Sequence, residues 1–284
     1  MEGIMNFGGL PQEYSNEKNA EVVIIPVPYD GTVTWRKGAS LGPQAIIEAS
    51  NFLEFYDMET GTEVYRRGIF TAPPVGDFAS PEKLADAMKN IIEDYLKKGK
   101  YPVVIGGEHS VSIGAVRAFA GLYPDLTVLQ LDAHTDLRPE YNGSAYNHAC
   151  VMSRIREVSN IVQVGIRSMD IMERSYILPG QIFYAEHIHD HDGWIDEAAD
   201  KLTGNVYLTI DLDVFDPSLM PSTGTPEPGG LSWYGVLRFL KKVISRVDLR
   251  GFDVVELCPD AVNKAPDFLA AKLIYKILSY QYTT

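Results

Sequence analysis

Val128-Leu-Gln-Leu-Asp-Ala-His-Thr-Asp136 is an apolar run of strand length that ends by delivering Asp132, His134 and Asp136 at every second position. Alternate side chains of an extended backbone lie on one side of it, so the spacing predicts three ligand-type groups held together at a strand end. Two carboxylates and an imidazole crowded in this way repel or stay poorly solvated unless a cation sits among them. A strand end that flares into a polar turn accounts for the same residues, and a lone Asp-x-His-x-Asp does not decide between the two.

Outward from this stretch the chain repeats its plan. Short apolar runs bounded by turn residues read as buried strands at Glu21–Val27, Tyr101–Ile105, Asn160–Ile166, Val206–Asp213 and Gly251–Glu256. Helical patterns lie between them. Pro43 suits the first position of one helix, and Ser80-Pro81-Glu82 opens another, in which Leu84, Met88, Ile91, Ile92, Tyr95 and Leu96 recur at helical spacing before Lys97-Lys98-Gly99 closes it. The last segment, Asp267 to Tyr280, is apolar at helical spacing and is expected to pack on the sheet. With no linker-like stretch and no fixed repeat, the pattern predicts one α/β domain over residues 1–284, with a mainly parallel sheet.

Composition sets outer bounds on function. Hydrophobic residues make up 45% of the 284 and charged residues 22%, an ordinary globular balance. A net charge of −13 without clustered Lys and Arg argues against nucleic acid as a partner, and an acidic field favours cationic ligands. No apolar run approaches the roughly 18 residues that cross a bilayer, so no membrane association is expected. The first residues lack a secretion signal, and the only cysteines, Cys150 and Cys258, agree with a reducing, cytoplasmic setting.

Polar groups gather where the strands end. Gly106-Gly107-Glu108-His109 follows one strand, Asp211 and Asp213 alternate at the end of another, and Glu256 closes a third. Parallel strands end on one edge of a sheet, so these residues can meet the Asp132/His134/Asp136 cluster although they are far apart in sequence. Four Asp and two His form a hard, oxygen-rich set that suits manganese better than thiolate-bound zinc, and four carboxylates fit two divalent ions better than one. His148 is a candidate acid or base, because imidazole titrates near physiological pH. Cys150 reads as core rather than nucleophile. His187, His189 and His191 alternate in Glu186–Asp192, but the surrounding acids and Gly193 read as a solvated loop, and these histidines are not assigned as ligands. The Gly-rich loop from Pro28 to Gly42, which carries Trp35, is read as a pocket wall, a subunit contact or a plain connection.

Taken together, Gly106-Gly-Glu-His109, Asp132-Ala-His-Thr-Asp136 and Asp211-Leu-Asp213 with its Pro/Gly-rich loop resemble the three motif regions of the ureohydrolase family of arginases and agmatinases. Gly38-Ala-Ser-Leu-Gly-Pro43, Gly165-Ile-Arg-Ser168 and Val255-Glu-Leu-Cys-Pro259 extend the likeness over nearly the whole chain. The resemblance implies an arginase-like three-layer α/β/α sandwich with about eight mainly parallel strands. It also implies two Mn2+ ions, one held by His109 and Asp136 and the other by His134 and Asp213, with Asp132 and Asp211 bridging. The family's catalytic histidine falls on His148 and its guanidinium-facing glutamate on Glu256; trimers or hexamers of the chain are implied as well.

That inventory fits its chemistry. A guanidinium carbon is a poor electrophile, and two divalent ions make hydroxide available at neutral pH by lowering the pKa of a bridging water. Glu256 would receive the planar cation through paired hydrogen bonds, and His148 would carry a proton to the departing amine. Asp136-Leu-Arg-Pro139 and Asn147–Met152 look more like agmatinases than arginases, which points to agmatine hydrolysed to putrescine and urea. Asn147, where many relatives have Ser or Gly, and Lys264-Ala-Pro-Asp267 depart from the pattern, so aminopropylagmatine, guanidinobutyrate and arginine stay open as substrates. A binuclear phosphoesterase would want Arg138 or Arg167 free for phosphate, and a non-catalytic metal scaffold would dispense with His148 or Glu256.

Overall fold

Runs that are apolar at every position, such as Val22–Val27, suit a sheet covered on both faces. In the computed structural model, which describes residues 6–76, 79–191 and 193–283, they lie in such a sheet. Its strands are β1 (Val22–Val27), β2 (Ile69–Thr71), β3 (Tyr101–Gly106), β4 (Thr127–Leu131), β5 (Asn160–Ile166), β6 (Ile182–Tyr184), β7 (Asn205–Asp211) and β8 (Asp248–Val255). They pair in the order β2-β1-β3-β8-β7-β4-β5-β6, and every pairing is parallel.

Side chains alternate between two cores. Leu129, Leu131, Leu208 and Ile210 face one of them, while Val128 and Tyr207 face the other. The helices are α1 (Gln12–Ser15), α2 (Gly42–Ser50), α3 (Pro81–Lys97), α4 (Val111–Leu122), α5 (Val151–Ile155), α6 (Ala185–Asp190), α7 (Trp194–Ala199), α8 (Trp233–Ile244) and α9 (Ala265–Gln281). Helices α2, α8 and α9 close the first core, and α3, α4 and α5 close the second, which makes three layers. No helix among the described residues is long and apolar enough to cross a membrane.

Strands β2 and β6 escape the sequence reading because three residues are too few to show a period. Each lies at an edge of the sheet. Two expectations need correction. The Asp-x-His-x-Asp and Asp-x-Asp stretches are not strand: β4 ends at Leu131 and β7 at Asp211, Leu212–Val214 is a 3-10 turn, and Asp136 takes a positive φ of 50°. The carboxylates themselves cause this curl. Asp132 Oδ1 accepts the backbone N–H of His134 (2.6 Å) and Asp211 Oδ1 that of Asp213 (2.9 Å), so each aspartate competes with the sheet for its own neighbour's amide. The second correction concerns His187 and His189, which ride on helix α6 rather than in a loop, because Ala185 and Ile188 anchor that turn in the interior. His191 follows the helix, and Asp192 lies outside the described residues.

Candidate active site

Four strands that are neighbours at the middle of the sheet, β3, β8, β7 and β4, bring the predicted residues to one edge. After β3 the chain turns at Gly107, whose N–H donates to Val27 O and whose carbonyl accepts the N–H of Glu256. The turn presses so closely on the neighbouring loop that a Cβ on Gly107 would lie 2.1 Å from Tyr29 O. This places His109 beside Glu256, whose own backbone is held at a positive φ of 67°.

His109 Nδ1 stands 3.2 Å from Asp132 Oδ2, 3.1 Å from Asp136 Oδ2 and 3.7 Å from Asp211 Oδ2. His134 Nδ1 lies 2.9 Å from Asp213 Oδ2 and 3.6 Å from Asp132 Oδ1. Two groups could each hold an ion, His109/Asp132/Asp211 and Asp132/His134/Asp213, and Asp132 belongs to both. Among the described residues the fully buried His109 Nδ1 has no well-directed hydrogen-bond partner, although three carboxylates converge on it. Such a point suits a cation better than a proton.

The charges support the same reading. Burial and the Asp213 and Asp132 carboxylates push Asp211 well above the usual range, and burial with Asp132 pushes Asp136 up to about 6. Burial opposes a charge on His134, but Asp213 and Asp132 raise it to about 12. The carboxylates thus demand positive charge at both imidazoles, a demand two divalent ions would meet.

Behind the cluster lies a polar layer that the sequence reading missed. His109 Nε2 is 2.8 Å from Thr209 Oγ1, Thr209 donates to Asp253 Oδ1 (2.6 Å), and Tyr207 OH donates to Asp253 Oδ2 (2.8 Å). Gln130 Nε2 donates to Asp132 Oδ2 at 2.7 Å. A signal existed: Gln130, Thr209 and Asp253 each stand between two apolar residues close to the carboxyl end of a strand. Thr135, by contrast, is anchored by donating to the buried Glu173, which also accepts the N–H of Leu137.

In front of the cluster opens a cavity of about 340 Å³, lined among others by Trp35, Tyr141, His148, Met169, Asp170 and Glu256. The loop that carries Trp35 is therefore a pocket wall. Glu256 Oε1 accepts the backbone N–H of His109 at 2.7 Å, which fixes the carboxyl group at the cavity floor. Burial, and then the Glu108 charge, push Glu256 up to about 8, so a cation brought against it regains much of what its surroundings deny. His148 is lowered to about 4 by burial and by the charges on His109 and His134. It is a neutral base at ordinary pH.

Other candidates fall outside the chemistry. Arg167 donates to the carbonyls of Gly165, Asp213 and Glu227, and Arg138 faces Glu173 and Asp170 while lying over the Tyr141 ring. Burial raises the Cys150 thiol to about 12, and its Sγ lies against Ser144 O. Asn147 caps the turn that carries His148, accepting the N–H of Ala149 at 3.0 Å, and Lys264 pairs with Asp267 at the start of α9. Both departures from the family pattern are structural.

Comparison with known proteins agrees with this geometry. Residues 20–279 match the model of the arginase family. The chain is 42% identical over 273 residues to the N(1)-aminopropylagmatine ureohydrolase of Synechocystis sp., covering 92% of this chain and 89% of that protein. It is 39% identical to the N(1)-aminopropylagmatine ureohydrolase of Thermus thermophilus, covering 91% and 89%. Among solved structures it resembles the agmatine ureohydrolase of Thermoplasma volcanium, with a TM-score of 0.86 and 30% identity over 95% of this chain and 92% of that one.

Proposed function

The chain belongs to the arginase family and hydrolyses guanidino C–N bonds, and from that premise we propose that it is a manganese-dependent ureohydrolase acting on a linear guanidino-polyamine. The observation that carries the reading is the pair of ligand groups sharing Asp132 beside a buried glutamate, Glu256, whose carboxyl is raised to about 8. Asp132, Asp136, Asp211 and Asp213 with His109 and His134 would hold two manganese ions, since their donors are hard and mostly oxygen. When bound, the metals supply hydroxide at neutral pH. Glu256, fixed by the His109 amide, receives the guanidinium and orients its carbon toward the cluster. His148, neutral and facing the cavity, accepts a proton and returns it to the departing amine.

The distal end of the substrate meets Trp35, Arg36, Met169 and Asp170, and Arg138 is already held by Glu173 and Asp170. The names of the similar proteins favour an amine tail over the amino-acid end of arginine. Agmatine satisfies that requirement. The longer N1-aminopropylagmatine satisfies it too, and two relatives at about 40% identity that carry that name favour it as the preferred substrate.

Urea release from N1-aminopropylagmatine, agmatine, guanidinobutyrate and arginine with added Mn2+ tests the reading. The expected order of kcat/KM is N1-aminopropylagmatine, agmatine, then the two carboxylate-bearing substrates. Phosphate release from a phosphoester without urea from any guanidine would overturn it. His148→Asn should lower kcat about 100-fold or more while bound manganese, measured by elemental analysis, is unchanged.

A further inference from the structure

His148 is tied to an element far away in sequence. Thr32 Oγ1 lies 3.0 Å from His148 Nδ1 and also accepts the backbone N–H of His148 at 2.9 Å. The same hydroxyl donates to Glu108 Oε1 at 2.6 Å. Glu108 is fully buried, and two further donors point at it, the N–H of Thr32 at 2.7 Å and the hydroxyl of Ser110 at 2.5 Å. A threonine hydroxyl has one proton and two lone pairs. Here the proton goes to Glu108 and one lone pair holds the His148 amide, so the remaining lone pair faces Nδ1 and needs a proton there.

We propose that Thr32, backed by Glu108, is a positioning residue that holds His148 in the tautomer protonated on Nδ1, so that Nε2 presents its lone pair to the cavity. The proposal rests on the proton-carrying role given to His148 above. Thr32 itself neither gains nor loses a proton in turnover; His148 takes up a proton at Nε2 and releases it from the same atom. The arrangement also links the base to the pocket wall, because Val33, Thr34, Trp35 and Arg36 line the cavity immediately after Thr32. A ring free to adopt the other tautomer would turn an N–H toward the cavity and lose the acceptor.

Two variants and two readouts test this. In the manganese-loaded enzyme, Thr32→Val should lower kcat about tenfold or more with KM within about twofold, and Thr32→Ser, which keeps the oxygen, should restore kcat to within about threefold of wild type. In protein loaded with diamagnetic zinc, solid-state 15N spectra of the histidine rings, with His148 assigned by its loss in His148→Asn, should show Nδ1 protonated and Nε2 bare. The Thr32→Val protein should shift that signal toward the opposite tautomer. A wild-type His148 bare at Nδ1, or Thr32→Val turning over as fast as wild type, overturns the inference. A wild type that releases no urea but shows the Nδ1-protonated ring overturns the functional reading and leaves the positioning assignment standing.

Discussion

At the scale of single residues, the site consists of charges that their surroundings leave incomplete, and the incomplete ones are those that would meet metal or substrate. Glu256 is the sharpest case, because its carboxyl is buried and raised to about 8, with one oxygen held by the His109 amide. Glu256→Gln keeps the shape and removes the charge proposed to meet a guanidinium. Its kcat/KM should fall by about 100-fold or more, as expected for losing a charge-assisted pair in a dry site, with bound manganese unchanged. Steady-state urea assays alongside elemental analysis check this. Thr209→Val is the converse, since Thr209 touches His109 Nε2 and Asp253 but does not line the cavity. It removes the partner that orients His109, a proposed metal ligand, so metal affinity should drop about 10- to 100-fold in a manganese titration, and activity should recover at saturating metal.

At the scale of elements, the turns carry the function while the strands carry the turns. The strands that flank the site were legible in the sequence because their apolar runs are long enough to show their nature; β2 and β6 were not, for the opposite reason. The convergence of His109, Asp132, Asp211 and Glu256 was legible too, since it follows from parallel strands sharing one carboxyl edge. What the sequence hid was the shape of the turns. Alternation at Asp132/His134/Asp136 looks like strand, yet side-chain carboxylates capture the amides two residues on and curl the chain, a competition that period counting does not register. The layer of Gln130, Thr209 and Asp253 was hidden in another way, because a polar residue inside an apolar strand gains meaning only when the partner across the sheet is known. Gly107 makes the dependence of site on turn testable. A methyl there would lie 2.1 Å from Tyr29 O, so Gly107→Ala must displace the turn that sets both His109 and the Glu256 amide. Loss of most bound manganese is expected, together with a destabilisation of about 1–3 kcal/mol in urea unfolding.

Across the whole molecule, one outer layer is fastened away from the cavity by a charge cluster, buried at Asp57 and Lys276, that ties the segment after α2 to the last helix. Lys276, nearly inaccessible on α9, lies 2.9 Å from Asp57 and 2.7 Å from Glu59, while Tyr280 OH donates to Glu59 and Tyr275 OH to Phe55 O. Burial works against both carboxylates, but Lys241, Lys276 and Tyr280 still lower Glu59 to about 2, and Thr60 with Lys276 lowers Asp57. Both groups have folded values below their unfolded ones, so their contribution is present above the unfolded carboxylate range, near 4, and is lost as pH falls through about 2. Lys276→Met removes the cation and leaves Asp57 buried without its partner, which costs about 3–5 kcal/mol for a pair of this kind. The melting temperature near pH 7 should therefore fall by about 10 °C. Between about pH 4 and pH 2 the variant should lose less further stability than wild type, because much of the acid-sensitive contribution is already gone. Thermal melts of both proteins across that range decide the matter: parallel curves would mean that Lys276 does not hold these carboxylates in their charged state.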